Sequence, residues 1–211
     1  MLFTICDQLY QQIAGNIGRL ERIEIEGDEK LRRAAVAIVI TSLPGSDEAC
    51  ILLTRRPVSL KRHSGQYALP GGMLDPGEDA LQAGLRELEE EIGLSLKTTD
   101  VVGFLDDFGS RSGFCITPIV FWAGAGAALN PAPDEVDVVF HIPLQELNHS
   151  RIPQMADVEG TEKPVFSVPL PTVGHEIYAP TAAMLFQFRE VALRNELIRV
   201  SHIEQPQFAW R

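Results

Sequence analysis

Apolar positions along the chain switch between two periods, and the switches mark its elements. Cys6, Leu9, Tyr10 and Ile13 recur at helical spacing, which predicts a short amphipathic helix over about 2–14. Residues 31–40, LRRAAVAIVI, end in an unbroken apolar run, the pattern of a strand buried on both faces toward its end. A turn at Pro44-Gly45-Ser46-Asp47 and a second apolar run at 50–54 predict a hairpin. From Gly71 the period lengthens: Leu81, Leu85, Leu88 and Ile92 form the core-facing stripe of a helix that Gly93 stops. Asp75-Pro76-Gly77 is the turn feeding that helix, and acids in its first turn suit the macrodipole.

Beyond it, residues 101–105 and 115–122 read as strands, joined by a Gly- and Ser-rich loop over 106–114. Asn130-Pro131-Ala132-Pro133-Asp134 is a turn ahead of Glu135, and 138–143 is another strand. Residues 146–180 carry five prolines among short apolar pieces and are expected to be irregular. Thr181 is expected to cap a closing helix that runs to about Glu196. At 211 residues the chain suits one domain: a core over about 31–150, the N-terminal helix, and a C-terminal extension over 151–211.

The helix after Gly71 carries more acid than a solvated face needs. Glu87, Glu90 and Glu91 stand three and four residues apart, so they share a face and their carboxylates are expected to converge. Such a trio repels itself unless a cation sits between its members. Ligands that are all oxygen point to a hard cation, Mg2+ or Mn2+, rather than zinc. Arg86 pairs most naturally with Glu90, or folds back toward Glu78. The alternative is an ordinary charged surface helix.

Composition adds limits. Apolar residues make up 45% and charged residues 22%, ordinary for a globular protein. A net charge of -11 argues against nucleic acid as partner, though not against a small phosphorylated substrate. Cys6, Cys50 and Cys115 form no CxxC pair, which suggests neither a zinc site nor a disulfide framework and fits a reducing compartment. With no signal-like leader and no long apolar span, a cytoplasmic protein away from membranes is the expectation. The acidic chain has one cationic stretch, from Arg55 to Tyr67, containing Arg56, Lys61, Arg62 and His63. It precedes Pro70-Gly71-Gly72, where the backbone can approach a ligand closely.

Gly72, Glu78, Arg86-Glu87-Leu88, Glu90-Glu91 and Gly93-Leu94 resemble the complete Nudix box, GX5EX7REUXEEXGU, with no fixed position changed. Residues 52–72, LLTRRPVSLKRHSGQYALPGG, resemble the signature that precedes the box in coenzyme A pyrophosphatases, with Pro57, Lys61 and Leu69 as departures. Lys61 keeps the charge of the expected arginine without its fork. SRSGFCITPIV at 110–120 and HEIYAPTAAML at 175–185 resemble further segments of that subfamily, the latter with Ala179-Pro180 in place of Trp-Gly.

The resemblance implies an α/β/α sandwich with a mixed sheet and a loop-helix catalytic motif. It implies metal-dependent hydrolysis of a nucleoside diphosphate linked to another moiety. Coenzyme A or a derivative would give 3',5'-ADP and 4'-phosphopantetheine. The implied metal ligands are Glu87, Glu90, Glu91 and the carbonyl of Gly71, with Glu87 or Glu135 as base. Arg86 and Glu78 hold helix and turn together; Arg56, Lys61 and His63, with Gly71 and Gly72, face the substrate. Other diphosphates (ADP-ribose, NADH, dNTPs) stay open, as does a non-catalytic module that senses a nucleotide or docks a partner. The N-terminal helix and the extension suit a homodimer as well as a monomer.

Overall fold

The computed structural model describes residues 2–26, 30–57, 65–158 and 164–206. In order they form α1 (Asp7–Ile17), β1 (Arg32–Ser42), β2 (Ala49–Arg55), β3 (Tyr67–Ala68), β4 (Gly71–Met73), α2 (Ala80–Ile92) and β5 (Val101–Phe104). Next come β6 (Phe108–Gly109), β7 (Phe114–Gly124), β8 (Val138–Pro143), α3 (Leu144–Leu147), β9 (Gln154–Ala156), β10 (Val165–Leu170), β11 (His175–Tyr178) and α4 (Thr181–Phe188).

Among the described residues eight strands make the main sheet, in the order β3-β2-β1-β7-β5, with β4 on β1, β6 on β7 and β8 on β2. Among the described strand pairs only β1 and β7 run parallel, so the sheet is mixed, as expected. Alternation along β1 explains why the sheet needs cover on both faces. Ile38 and Ile40 join the core beneath α1 and α4, whereas Ala35, Ala37 and Val39 join the core beneath α2. Helices therefore flank the sheet on both sides.

On the α2 side, Leu88 and Ile92 are fully buried with Ala83 and Gly84. Each large side chain contributes roughly 1.5–3 kcal/mol by leaving water. Leu81 and Leu85, the other half of the expected stripe, are only half-buried at the rim. Asp79 caps α2: its carboxylate accepts from the Gln82 N–H (2.8 Å) while Gln82 Oε1 accepts from the Asp79 N–H (2.9 Å). The first turn holds no acid; Glu78 and Asp79 precede it, a correction to the expected placement. Gly93 ends the helix with φ 65°.

Three other expectations are corrected. The N-terminal helix begins at Asp7 rather than near residue 2, because the residues before it pair with the β1–β2 turn. The Ile5 N–H donates to the Asp47 carbonyl, and the Ala49 N–H to that of Phe3, at 2.8 Å each. The stretch 146–180 is not irregular: β11-β10-β9 is an antiparallel sheet. Its proline Pro169 sits in β10 beyond the reach of β9, where one edge is unpaired and a missing N–H is tolerated. Thr181 is the first helical residue and makes no cap; Pro180 holds the capping position. α4 passes into a π-helical turn, Arg189–Leu193, and ends before the expected Glu196.

Buried charge ties both ends of the chain to the segment after β5. Asp107 accepts from Arg22 (2.8 Å), Thr117 (2.8 Å) and the Ile25 N–H (3.0 Å). Asp106 accepts from Arg199 and Gln187, each at 2.7 Å, and from the Ile23 N–H at 2.9 Å. No helix among the described residues is long and apolar enough to cross a membrane.

Candidate functional site

Where β1 and β2 diverge, β4 is wedged against β1, with Ala35 opposite Gly72 and Val36 opposite Gly71. At Gly71 the wedge admits only glycine. Gly71 has φ 150°, and a Cβ there would lie 2.2 Å from the Ala35 carbonyl oxygen. A Cβ on Gly72 would lie 2.1 Å from Oε1 of Glu87. The two glycines thus bring main chain against α2, and two of its acids close on that main chain. Glu87 packs on Gly72, and Glu91 Oε2 accepts from the Gly71 N–H at 2.9 Å.

Arg86 holds the approach loop to the helix. Its Nε and Nη2 donate to the two oxygens of Glu78 (3.0 Å each), and Nη2 also donates to the Met73 carbonyl (3.0 Å). Its Nη1 donates to Glu87 Oε1 and Glu90 Oε2, both at 2.8 Å. Both expected partners, Glu90 and Glu78, are thus engaged at once. Hydrogen bonding to Arg86 holds the Glu78 carboxyl below its usual range.

The three helix acids differ in surroundings. Glu91 is 6% exposed, and burial pushes its carboxyl up to about 7 against the opposing pull of the Gly71 N–H; Glu87 and Glu135 add repulsion. Burial raises Glu87 too, partly offset by its bond to Arg86. Glu90 is 53% exposed. Instead of converging, the trio is divided: Arg86 lies between Glu87 and Glu90, and Glu91 turns to Gly71. Among the described residues, no three His, Cys, Asp or Glu side chains are drawn together as a ready-made metal group. A cation here would have to draw the helix acids away from Arg86 and the Gly71 N–H. The donors nearby are all oxygen, the set a hard cation takes.

Glu135 stands exposed after the Pro-rich turn, its N–H bonded to the Ala132 carbonyl (3.0 Å). Bonds from the Asn130 and Ala132 N–H groups to the Ile92 and Glu91 carbonyls dock this loop on the end of α2. That docking brings the charge of Glu135 within reach of Glu87 and Glu91. Arg56 Nη1 lies 3.9 Å from Glu91 Oε1, and its buried Nε has no hydrogen-bond partner among the described residues. Its neighbour Arg55 is committed elsewhere, giving Nε and Nη2 to Asp137 (3.0 and 2.7 Å). Lys61 and His63 lie outside the described residues.

Two supports escaped the sequence reading. The Asp79–Gln82 cap was legible, since an acid followed three residues later by Gln before an apolar run is its signature. The Met73 carbonyl had no signal, because a main-chain acceptor leaves no trace in residue type.

The NUDIX domain family model matches residues 31–164, more than half of the chain. The chain belongs to the Nudix family. A relative named as an uncharacterized Nudix hydrolase NudL, from Photorhabdus laumondii, is 40% identical over 116 residues, covering 54% of this chain and 60% of its own length. A second, of the same name from Yersinia pestis, is 42% identical over 116 residues, covering 54% of this chain and 57% of its own. The match thus spans less than two thirds of either relative. A MutT/nudix family protein from Enterococcus faecalis shares the fold, with TM-score 0.52 at 16% identity over 77% of this chain and 62% of that one. The Nudix fold accounts for the mixed sheet between helices and for a box helix seated on diglycine.

Proposed function

We propose that this Nudix protein hydrolyses a nucleoside diphosphate linked to a further moiety, using Mg2+ or Mn2+, and that its substrate is coenzyme A or a derivative. One observation carries the reading: a buried carboxylate, Glu91, and a half-buried one, Glu87, close on the Gly71-Gly72 main chain beside the Arg56 guanidinium. Burial disfavours both anions, and a dication is what would restore them. Glu87, Glu90, Glu91 and the carbonyl of Gly71 would hold it. When bound, the cation supplies charge neutralisation for the diphosphate and acidifies the attacking water.

The protein's own residues do the rest. The missing side chain at Gly72 leaves the room in which the Glu87 carboxylate sits against the main chain. Arg86 fixes the loop through Glu78 and Met73, so the helix acids keep their positions through turnover. Water attacks one phosphorus and the bond to its bridging oxygen breaks; the proton passes to Glu87 or to Glu135, near enough for their charges to repel. Arg56 contacts a phosphate oxygen, and the resemblance over 52–72 adds Lys61 and His63 to the substrate contacts. With coenzyme A the products are 3',5'-ADP and 4'-phosphopantetheine. Support for this substrate comes from the signature over 52–72 and from the position of its Arg56 beside Glu91.

The test is a turnover panel of coenzyme A, acyl-coenzyme A, dephospho-coenzyme A, ADP-ribose, NADH and dNTPs with Mg2+ and with Mn2+. Coenzyme A or its acyl form should give the highest kcat/KM. A clear preference for ADP-ribose or a dNTP would remove the substrate and leave the hydrolase.

A further inference from the structure

A cavity of about 810 Å3 lies away from the box helix, between α3 and the sheet β9–β11. Ligand pockets typically occupy roughly 300–1,000 Å3. Ile152, Met155 and Leu170 give it apolar wall; Glu176, His175 and Tyr178 line one side from β11. Glu176 stands opposite Pro169 across β10–β11, and its buried Oε2 has no hydrogen-bond partner among the described residues. A buried acceptor without a donor is costly, and a turn of the Glu176 side chain toward the cavity would offer that oxygen to a ligand N–H or O–H.

The cavity connects to the carboxylate cluster through one short stretch of chain. The His175 ring lies against that of Tyr67, centroids 5.6 Å apart. Tyr67 pairs with Arg55, next to Arg56, and four residues later the same chain supplies the Gly71 N–H that holds Glu91. A substrate with its diphosphate at Glu91 would reach this cavity only if its leaving arm ran past Tyr67 and His175.

Charge selects the kind of arm. Three acids, Glu146, Asp157 and Glu176, line it with one arginine, Arg151, and two histidines, His149 and His175. Glu146 already accepts from the Thr172 N–H (3.0 Å) and hydroxyl (2.5 Å). A phosphate would meet repulsion here, whereas an uncharged chain with amide or hydroxyl donors would find acceptors and apolar wall together. Building on the diphosphate hydrolase reading, we infer that this cavity binds the part of the substrate beyond the diphosphate, an uncharged arm bearing amide or hydroxyl groups.

Two variants and one probe test it. Ala156 lines the cavity from β9, and Ala156→Trp fills it; Glu176→Leu keeps the volume and removes the orphaned acceptor. Titration calorimetry with pantetheine, which carries the amides and hydroxyls without phosphate, should show binding to the wild type. Ala156→Trp should weaken it at least tenfold. Glu176→Leu should weaken it about fivefold while leaving Tm unchanged or raised, an outcome that a damaged fold cannot give. With coenzyme A as substrate, Ala156→Trp should raise KM about tenfold with kcat and the inhibition constant of 3',5'-ADP within twofold of wild type. Absence of pantetheine binding at millimolar concentration, or pantetheine affinity untouched by both variants, would overturn the inference. So would a parallel loss of 3',5'-ADP binding. A wild type that cleaves no diphosphate would instead defeat the hydrolase reading, while calorimetry still decides the cavity.

Discussion

Gly71 and Gly72 are neighbours with opposite roles, and alanine at each separates fold from function. In Gly71→Ala the new Cβ meets main chain, 2.2 Å from the Ala35 oxygen and 2.7 Å from the Val36 Cα, at a φ of 150°. Neither obstacle can move without parting β4 from β1, the central strand. Backbone strain alone costs about 1–3 kcal/mol, and with the clash the total is at least ~3 kcal/mol, a fall in Tm of roughly 6–12 °C. In Gly72→Ala the Cβ meets only the Glu87 carboxylate, 2.1 Å away and able to swing aside. That swing gives up the bond from Arg86, while Arg86 keeps Glu78 and Glu90, so the loss is about 1 kcal/mol. Yet the carboxylate moves by about 1 Å or more at the reacting centre, enough to lower turnover roughly 100-fold. Thermal unfolding of both variants in chelator, beside turnover on the best diphosphate of the panel, makes the comparison. Equal loss of stability in the two, or a Gly72→Ala protein of full activity, would refute the reasoning.

Other outcomes follow from the same contacts. The folded state holds the Glu91 proton more tightly than the unfolded chain, so this group favours folding below the ordinary Glu value of 4.5 and loses that advantage as pH rises through about 7. Metal-free Glu91→Gln should therefore gain on the order of 3 kcal/mol over wild type at pH 8 and little at pH 4. Chelated unfolding curves at the two pH values check this, and an equal effect at both would contradict it. Burial alone would raise Asp107, but bonds from Arg22, the Ile25 N–H and Thr117 hold it below the usual range, so its contribution is present near neutrality and lost as pH falls through the lowered value. Asp107→Asn should cost roughly 3 kcal/mol at pH 7 and less at pH 3, read by urea unfolding. Arg86→Lys keeps one charge but cannot give Glu78 two bonds while reaching Glu87, Glu90 and Met73. Turnover should fall at least tenfold, mainly in kcat.

Much of this was legible because the pattern and the chemistry reinforced each other. β1 and β2 announced themselves by apolar runs, α2 by its stripe and its glycine stop, and the acids of α2 by their spacing. What escaped was set by distant partners. Residues before Asp7 look helical, but the turn at Asp47 captures them as bridging chain. The prolines of 146–180 read as breakers, yet Pro169 falls where an edge is unpaired, so β10 survives it. The acid trio was expected to converge, and spacing does put it on one face. Spacing could not reveal that Arg86 divides Glu87 from Glu90 or that Glu91 would answer a glycine N–H twenty residues upstream. The cavity beside β11 had no sequence signal, since its lining comes from short pieces that only the second sheet assembles.

The central claim is that the acids of α2 gather a divalent cation for use on a diphosphate. Titrating Mn2+ into the protein and following the free-ion signal by electron paramagnetic resonance tests this directly, with wild type beside a Glu90→Gln, Glu91→Gln double variant. The wild type should bind Mn2+ and hydrolyse its substrate; the double variant should remain folded and lose both. Equal Mn2+ binding by the two proteins, or turnover that persists in the variant, would contradict the account.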